Sequence, residues 1–129
     1  MPVMFMQESG RNRYYVYHLI NTANELPFYV GYTSDPYGRY RTHLKKNPET
    51  LEGAARWRLI KALADAGFGF DLVVRHSFRY RGDAMRHESA ATKEMLLKGV
   101  PILNYPAKDI YQKLGKQLAG LSRTEDLFK

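Results

Sequence analysis

The sequence contains no cysteine, which excludes disulfides and thiolate metal sites and suits a reducing compartment. Long apolar runs are also missing: none approaches the ~20 residues needed to span a bilayer. The apolar stretch near the start, Val3 to Met6, is too short for a secretory signal. These absences predict a cytoplasmic protein with no membrane partner. There is no phosphate-loop Gly-Lys pattern, no dinucleotide-binding glycine fingerprint and no paired-histidine zinc motif, so no organic cofactor is expected. Gly67 and Gly69 read as a helix stop and a turn. Acidic residues are outnumbered: 13 Asp plus Glu face 20 Lys plus Arg, a net charge of +7. Such an excess concentrates phosphate-bearing ligands at the surface, although a merely soluble basic protein fits it too.

What is present suits one folded domain over residues 1–129, because two pieces of this length would bury too little core. Hydrophobic residues make up 44%, with ten Tyr and six Phe, so disorder is not expected. Residues 1–13 carry no period and read as an arm. Aromatic and β-branched runs predict strands at Tyr14–Ile20 and Phe28–Thr33, joined as a hairpin by the polar Asn21–Glu25. Asp35-Pro36 is a helix start, predicting a helix to about Lys46. Asn47-Pro48 repeats the signal for a helix to Ala66, closed by Gly67. A third strand is expected over Phe70–Phe78, then a basic loop from Arg79 to Gly82. Asp83 is expected to cap a helix running to Lys98, and an amphipathic helix is expected over about Ala107–Leu118. The order β-β-α-α-β-α-α predicts a small α/β (α+β) fold with a three-stranded antiparallel sheet and flanking helices: core 14–105, C-terminal helix 106–129.

Four groupings could carry chemistry. Arg39 and His43 stand four residues apart on one helix, so they share a face. Tyr37, Tyr40 and Leu44 form the apolar stripe, which leaves the Arg/His pair as either a solvated face or a phosphate-gripping one. Glu88 falls in the middle of a helical stripe formed by Ala84, Met85, Ala91, Met95 and Leu96. A carboxylate there needs compensation, by a bound cation or by bending out to solvent or an arginine. Tyr14, Tyr15, Tyr17, Tyr29 and Tyr32 crowd the hairpin; most suit packing, while one or two beside a cation could handle protons or phosphate. Arg41, Lys45, Lys46, Arg56 and Arg58 cluster with few acids between them and predict a phosphate-backbone track. Arg75, Arg79, Arg81 and Arg86 form another basic group. Trp57 is core or a stacking platform, and His18, His76 and His87 are scattered and read as structural or surface residues.

In this order the residues resemble the GIY-YIG nuclease superfamily, which includes homing endonucleases, some restriction enzymes and the incision subunit of bacterial excision repair. Tyr15-Val16-Tyr17 stands at the first tripeptide and Tyr29-Val30-Gly31 at the second. Arg39 follows Tyr29 by ten residues, and His43 stands where the family often has histidine. Glu88 precedes Leu96-Leu97-Lys98 as the metal-binding glutamate precedes its Leu-Ile-Lys stretch, and Asn104 follows Pro101 as in the late Pro-x-x-Asn region. Tyr15 departs from the pattern, replacing the first glycine, and would crowd the hairpin or alter access. The resemblance implies a DNA endonuclease with one Mg²⁺ or Mn²⁺ held by Glu88. It further implies that Arg39 stabilises the transition state and that Tyr17, its pKa lowered by nearby cations, deprotonates water, with His43 the other candidate base. Tyr29 would orient water or phosphate, Gly31 would admit the backbone closely, and Asn104 would tie the structure together. A double-strand break would take a homodimer or two visits. Two other readings keep the fold without the chemistry: an inactive nucleic-acid-binding module and a protein-interaction component.

Overall fold

The computed structural model describes residues 3–5, 11–45, 51–100 and 102–104, with only the backbone of residues 51 and 52. Its elements are β1 (Val3–Phe5), β2 (Tyr14–Asn21), β3 (Pro27–Thr33), α1 (Pro36–His43), α2 (Leu51–Asp65), β4 (Phe70–Phe78) and α3 (Arg81–Leu97). The expected hairpin is present: β2 and β3 pair antiparallel, with Tyr17 opposite Gly31. Strand β4 spans the residues expected of it and pairs antiparallel with the other side of β2.

The sheet has four strands rather than three, in the order β1-β4-β2-β3, and β1 runs parallel to β4. The supposed arm therefore supplies a strand. Val3 is buried and Met4 exposed, while the Phe5 ring meets Tyr15 edge-on at 5.6 Å. Three residues are too few to show a period, and their pairing partner is Leu72–Val74. The strand exists because β4 would otherwise present an open edge to solvent.

Both faces of the sheet are buried, which explains the unbroken apolar runs in its strands. One face packs Tyr17, Leu19, Phe28, Leu72 and Val74 against Ala55, Leu59 and Leu63 of α2. The other packs Val16 and Val30 against Ala84 of α3 and Ile102, with Ala91, Met95 and Leu96 alongside. Helix α2 stops as expected at Gly67, whose φ of +85° is open to glycine without a Cβ penalty. The start signal at Asn47-Pro48 and the helix expected over 107–118 lie outside the described residues. Among those described, no helix is long and apolar enough to cross a membrane.

The start of α3 differs from expectation. The helix begins at Arg81 after Tyr80, which makes no side-chain cap, and Asp83 lies inside the first turn, paired with Arg86. A carboxylate interacts with the helix dipole from anywhere in that turn, so its presence marks the turn but not the cap.

Asn104 closes the free edge of β3. Its Oδ1 accepts from Val30 N at 2.9 Å and its Nδ2 donates to Val30 O. Leu103 N donates to Phe28 O at 2.8 Å. Asn104→Ala leaves a buried donor and acceptor of β3 unpaired and is expected to cost roughly 2–4 kcal/mol. Urea unfolding checks this: a midpoint equal to wild type would show that the edge needs no closure.

Candidate active site

Helix α1 starts where its sequence directs. Asp35 Oδ1 accepts from Gly38 N at 3.0 Å, and Pro36 occupies the first turn, where its missing N–H costs nothing. The helix ends at His43 rather than near Lys46, and its inward side is not the one expected. Tyr37 and Leu44 are 43% and 51% exposed, whereas His43 is only 6% exposed. Tyr40 keeps its packing role, with its ring 4.9 Å from Phe70. The histidine goes inward because a hydrogen-bond partner waits there. Tyr17 Oη lies 2.8 Å from His43 Nε2.

Gly31 makes that contact possible. A Cβ on Gly31 would lie 2.5 Å from Tyr17 Oη and 2.9 Å from the Tyr29 ring, closer than any side chain tolerates, so a glycine must stand opposite Tyr17. Tyr29 shares the strand face: its ring is 6.3 Å from Tyr17 and 5.4 Å from His43. The Arg56 guanidinium sits 4.6 Å over the Tyr29 ring. Arg56 is thus part of this cluster.

Tyr17, Tyr29, Gly31, Arg39 and Glu88 line one cleft of about 500 Å³, together with Tyr14, Tyr32, Thr33, Ser34 and Arg81. Helices α2 and α3 pack on opposite faces, and β3 is the outer strand of the sheet. Residues of both faces therefore meet around the β3 edge, and Glu88 reaches the same space as Tyr17. Met85, expected beside Glu88 on the inner stripe, is 44% exposed, while Thr92 is fully buried. The stripe is rotated by part of a turn and leaves Glu88 half-buried at its margin.

The electrostatics follow from burial and two arginines. Burial raises the Tyr17 pKa well above the usual phenol value, and neighbouring Tyr29 adds to it; Arg39 and Arg56 pull the other way and lose, with Glu88 also raising it. The expectation that cations lower this pKa is reversed, since the phenol is only 1% exposed. His43 is pushed down to about 3, first by burial, then by Arg56 and Arg39. It is neutral at physiological pH. Burial also raises the Glu88 carboxyl.

Among the described residues, no cationic side chain lies within salt-bridge reach of Glu88, and no three His, Asp or Glu side chains gather to hold a metal. A half-buried, unpaired carboxylate in an open cleft suits a hard divalent cation that takes one protein ligand and fills its shell with water and phosphate oxygens. The donor set fits magnesium or manganese better than zinc.

A family model described as the GIY-YIG catalytic domain matches residues 13–95. The chain belongs to that family. No curated protein and no solved structure matches it. Within this GIY-YIG domain, Tyr15 does not crowd the site. It stands opposite Thr33, its ring leans on Phe5, and its hydroxyl donates to Asn12 O at 3.3 Å. The added strand β1 gives this tyrosine the packing partner that a glycine would not need.

Of the expected phosphate track, Arg41, Lys45 and Arg58 are exposed, Lys46 lies outside the described residues, and Arg56 belongs to the site. Arg81, expected only as one of a basic group, lines the cleft and donates to Tyr32 Oη from Nε at 3.3 Å and Nη2 at 3.2 Å. A signal was available: Arg81 precedes Glu88 by two helical turns and so shares its face. The histidines expected to be scattered, His18, His76 and His87, line one cleft, a second one against α3. His76 and His87 rings lie 4.3 Å apart, and His18 accepts from Arg75 Nε at 3.4 Å.

Burial lowers the His18 pKa to about 4, with Arg75 adding to the effect. Both His18 and His43 stay neutral in the fold while the unfolded chain charges them below about 6.5. Their contribution to stability is present above that pH and is lost as pH falls towards the folded values. The slope for two protons reaches about 2.7 kcal/mol per pH unit. Urea midpoints are expected to change little from pH 7.5 to about 7 and to fall with growing steepness from there to pH 5; a flat midpoint down to pH 5 contradicts the buried neutral state.

Proposed function

We propose that this domain is a DNA endonuclease that hydrolyses phosphodiester bonds with one divalent metal ion, Mg²⁺ or Mn²⁺, held by Glu88. The observation that carries the reading is the convergence on one cleft beside Gly31 of the Tyr17–His43 hydrogen bond, Arg39 and a Glu88 with no ion-pair partner among the described residues. Three kinds of group that phosphodiester hydrolysis needs are together there: a proton acceptor, a guanidinium and a ligand for a cation. The cation, when bound, offsets charge developing on the departing oxygen.

Arg39 is exposed at the cleft and grips the non-bridging oxygens through paired N–H donors, stabilising the charge of the pentavalent transition state. The proton of the attacking water goes to Tyr17 Oη as the Tyr17 proton passes to His43 Nε2. Neutral His43 offers that acceptor when its other ring nitrogen carries the hydrogen. The high pKa of the buried phenol argues against a standing tyrosinate and for such a concerted transfer. Part of the depression at His43 comes from Arg56 and Arg39. A phosphate bound in the cleft offsets the charge of Arg39 and makes the imidazole a better acceptor when substrate is present. Tyr29, held by Arg56, orients water or phosphate.

One cleft of this kind per chain cuts one strand at a time, so a double-strand break takes two protomers or two visits. The test is supercoiled plasmid incubated with the purified chain. Nicking with Mg²⁺ or Mn²⁺ and none with chelator is expected. Salt-sensitive DNA binding without cleavage under either metal would replace this reading with that of an inactive nucleic-acid-binding module.

A further inference from the structure

Next to the catalytic cleft lies a second one, of about 640 Å³, lined by Arg11, Arg13, Tyr14, Arg79, Tyr80 and Arg81. One backbone and one side-chain hydrogen bond build it. Arg13 N donates to Phe78 O at 3.1 Å, and Asn12 Nδ2 donates to Ser77 Oγ at 2.9 Å. These tie the segment entering β2 to the end of β4, so arginines from two distant stretches face one space. All four are exposed, and no carboxylate is among the lining residues. Four guanidiniums in one concavity repel one another unless an anion occupies it. Tyr14 and Arg81 line this cleft and the catalytic one alike, so the two are continuous. Tyr80 is 62% exposed, with the Arg79 guanidinium 5.6 Å from its ring. An open ring beside guanidiniums suits a nucleotide, whose sugar or base stacks while its phosphates are held.

We propose that the Arg11/Arg13/Arg79/Arg81 cleft is a backbone subsite that holds the cleaved strand's phosphates beside the scissile bond. The subsite rests on the nuclease reading for its ligand, and none of Arg41, Lys45 and Arg58 lines it. It gives a domain of this size a way to hold the strand on one side of the cut without reading its sequence. Phosphates held there fix the register in which the next phosphodiester meets Arg39 and Glu88.

The test measures binding rather than cleavage. Full-length protein carrying Glu88→Gln is titrated in chelator against a fluorescently labelled duplex of about 20 base pairs and against one of its strands, over a range of salt. Adding Arg13→Ala and Arg79→Ala is expected to weaken binding at least about tenfold and to make the log K–log salt slope shallower by about one per arginine. A charge-matched control, Lys61→Ala with Lys98→Ala, is expected to keep the parent slope. A greater loss on the single strand than on the duplex assigns Tyr80 to stacking on an unpaired base; an equal loss assigns the cleft to phosphates alone, and both outcomes support the subsite. An unchanged slope in the arginine variant, or an equal loss in the control, overturns it. Because nothing is cut in this assay, failure of the wild-type protein to nick plasmid strikes the nuclease reading and leaves standing only that this cleft binds backbone phosphates.

Discussion

Glu88→Gln is expected to lose roughly 1,000-fold in cleavage rate, and yet to melt at a higher temperature than wild type when both are held in chelator at pH 7. The two effects have one cause. Burial raises the Glu88 pKa above the ordinary carboxylate value of 4.5, so the folded state disfavours the ionised form that neutral pH imposes. A raised carboxyl contributes stability below the unfolded pKa and loses it as pH rises through the folded value. At pH 7 the ionised side chain is therefore a burden on the fold, and a neutral amide of the same shape removes it. The melting difference should shrink as pH is lowered towards 4.5, where the carboxyl protonates in both states. Saturating Mg²⁺ should reverse the order, because a ligand that binds only the folded wild type raises its stability and leaves the glutamine variant unchanged. Equal melting in chelator, with equal response to Mg²⁺, would show that Glu88 holds no cation. The outcome separates a metal-binding carboxylate from one that merely sits at the margin of a helix stripe.

Spacing places part of this site, the family resemblance supplies more, and what neither gives has physical reasons. Period 2 on β2 and β3 puts Tyr17 and Gly31 within reach of each other, and Asp35-Pro36 sets the start of α1 so that Arg39 and His43 share a side. Those features are local, and local rules carry them. His43 looked solvated because Tyr37, Tyr40 and Leu44 make a passable apolar stripe. What turned the helix was Tyr17, a partner from a different element, to which only the folded chain gives access. Strand β1 depends in the same way on an edge supplied by Leu72–Val74. Charge alone puts Arg56 in a basic group and does not tell that its guanidinium lies over the Tyr29 ring. Net charge and composition do not report which cation stacks on which ring. The pKa of Tyr17 is the clearest case: counting neighbouring arginines predicts a fall, and the rise appears only once burial is known.

Tyr17→Phe and His43→Gln are each expected to lose roughly 100- to 10,000-fold in the single-turnover rate, the range for a positioned proton acceptor. The combined variant should be little worse than the more damaged single one. A proton that leaves water through Tyr17 Oη and ends on His43 Nε2 crosses both groups in one step, and removing either breaks the whole path. If the phenol and the imidazole acted on different protons, their losses would multiply, and a multiplied loss in the double variant would sink the relay. The pH profile offers a second check. An unburied histidine would give the rate an acid limb near 6.5, but His43 in the fold is neutral down to about 3. Through His43 alone, then, the rate should show no inflection near pH 6.5. Phenylalanine fits the space of Tyr17 and leaves only the His43 nitrogen without its partner, at a cost in stability of about 1–3 kcal/mol. The lost rate can therefore be read in a folded protein, with circular dichroism as the control.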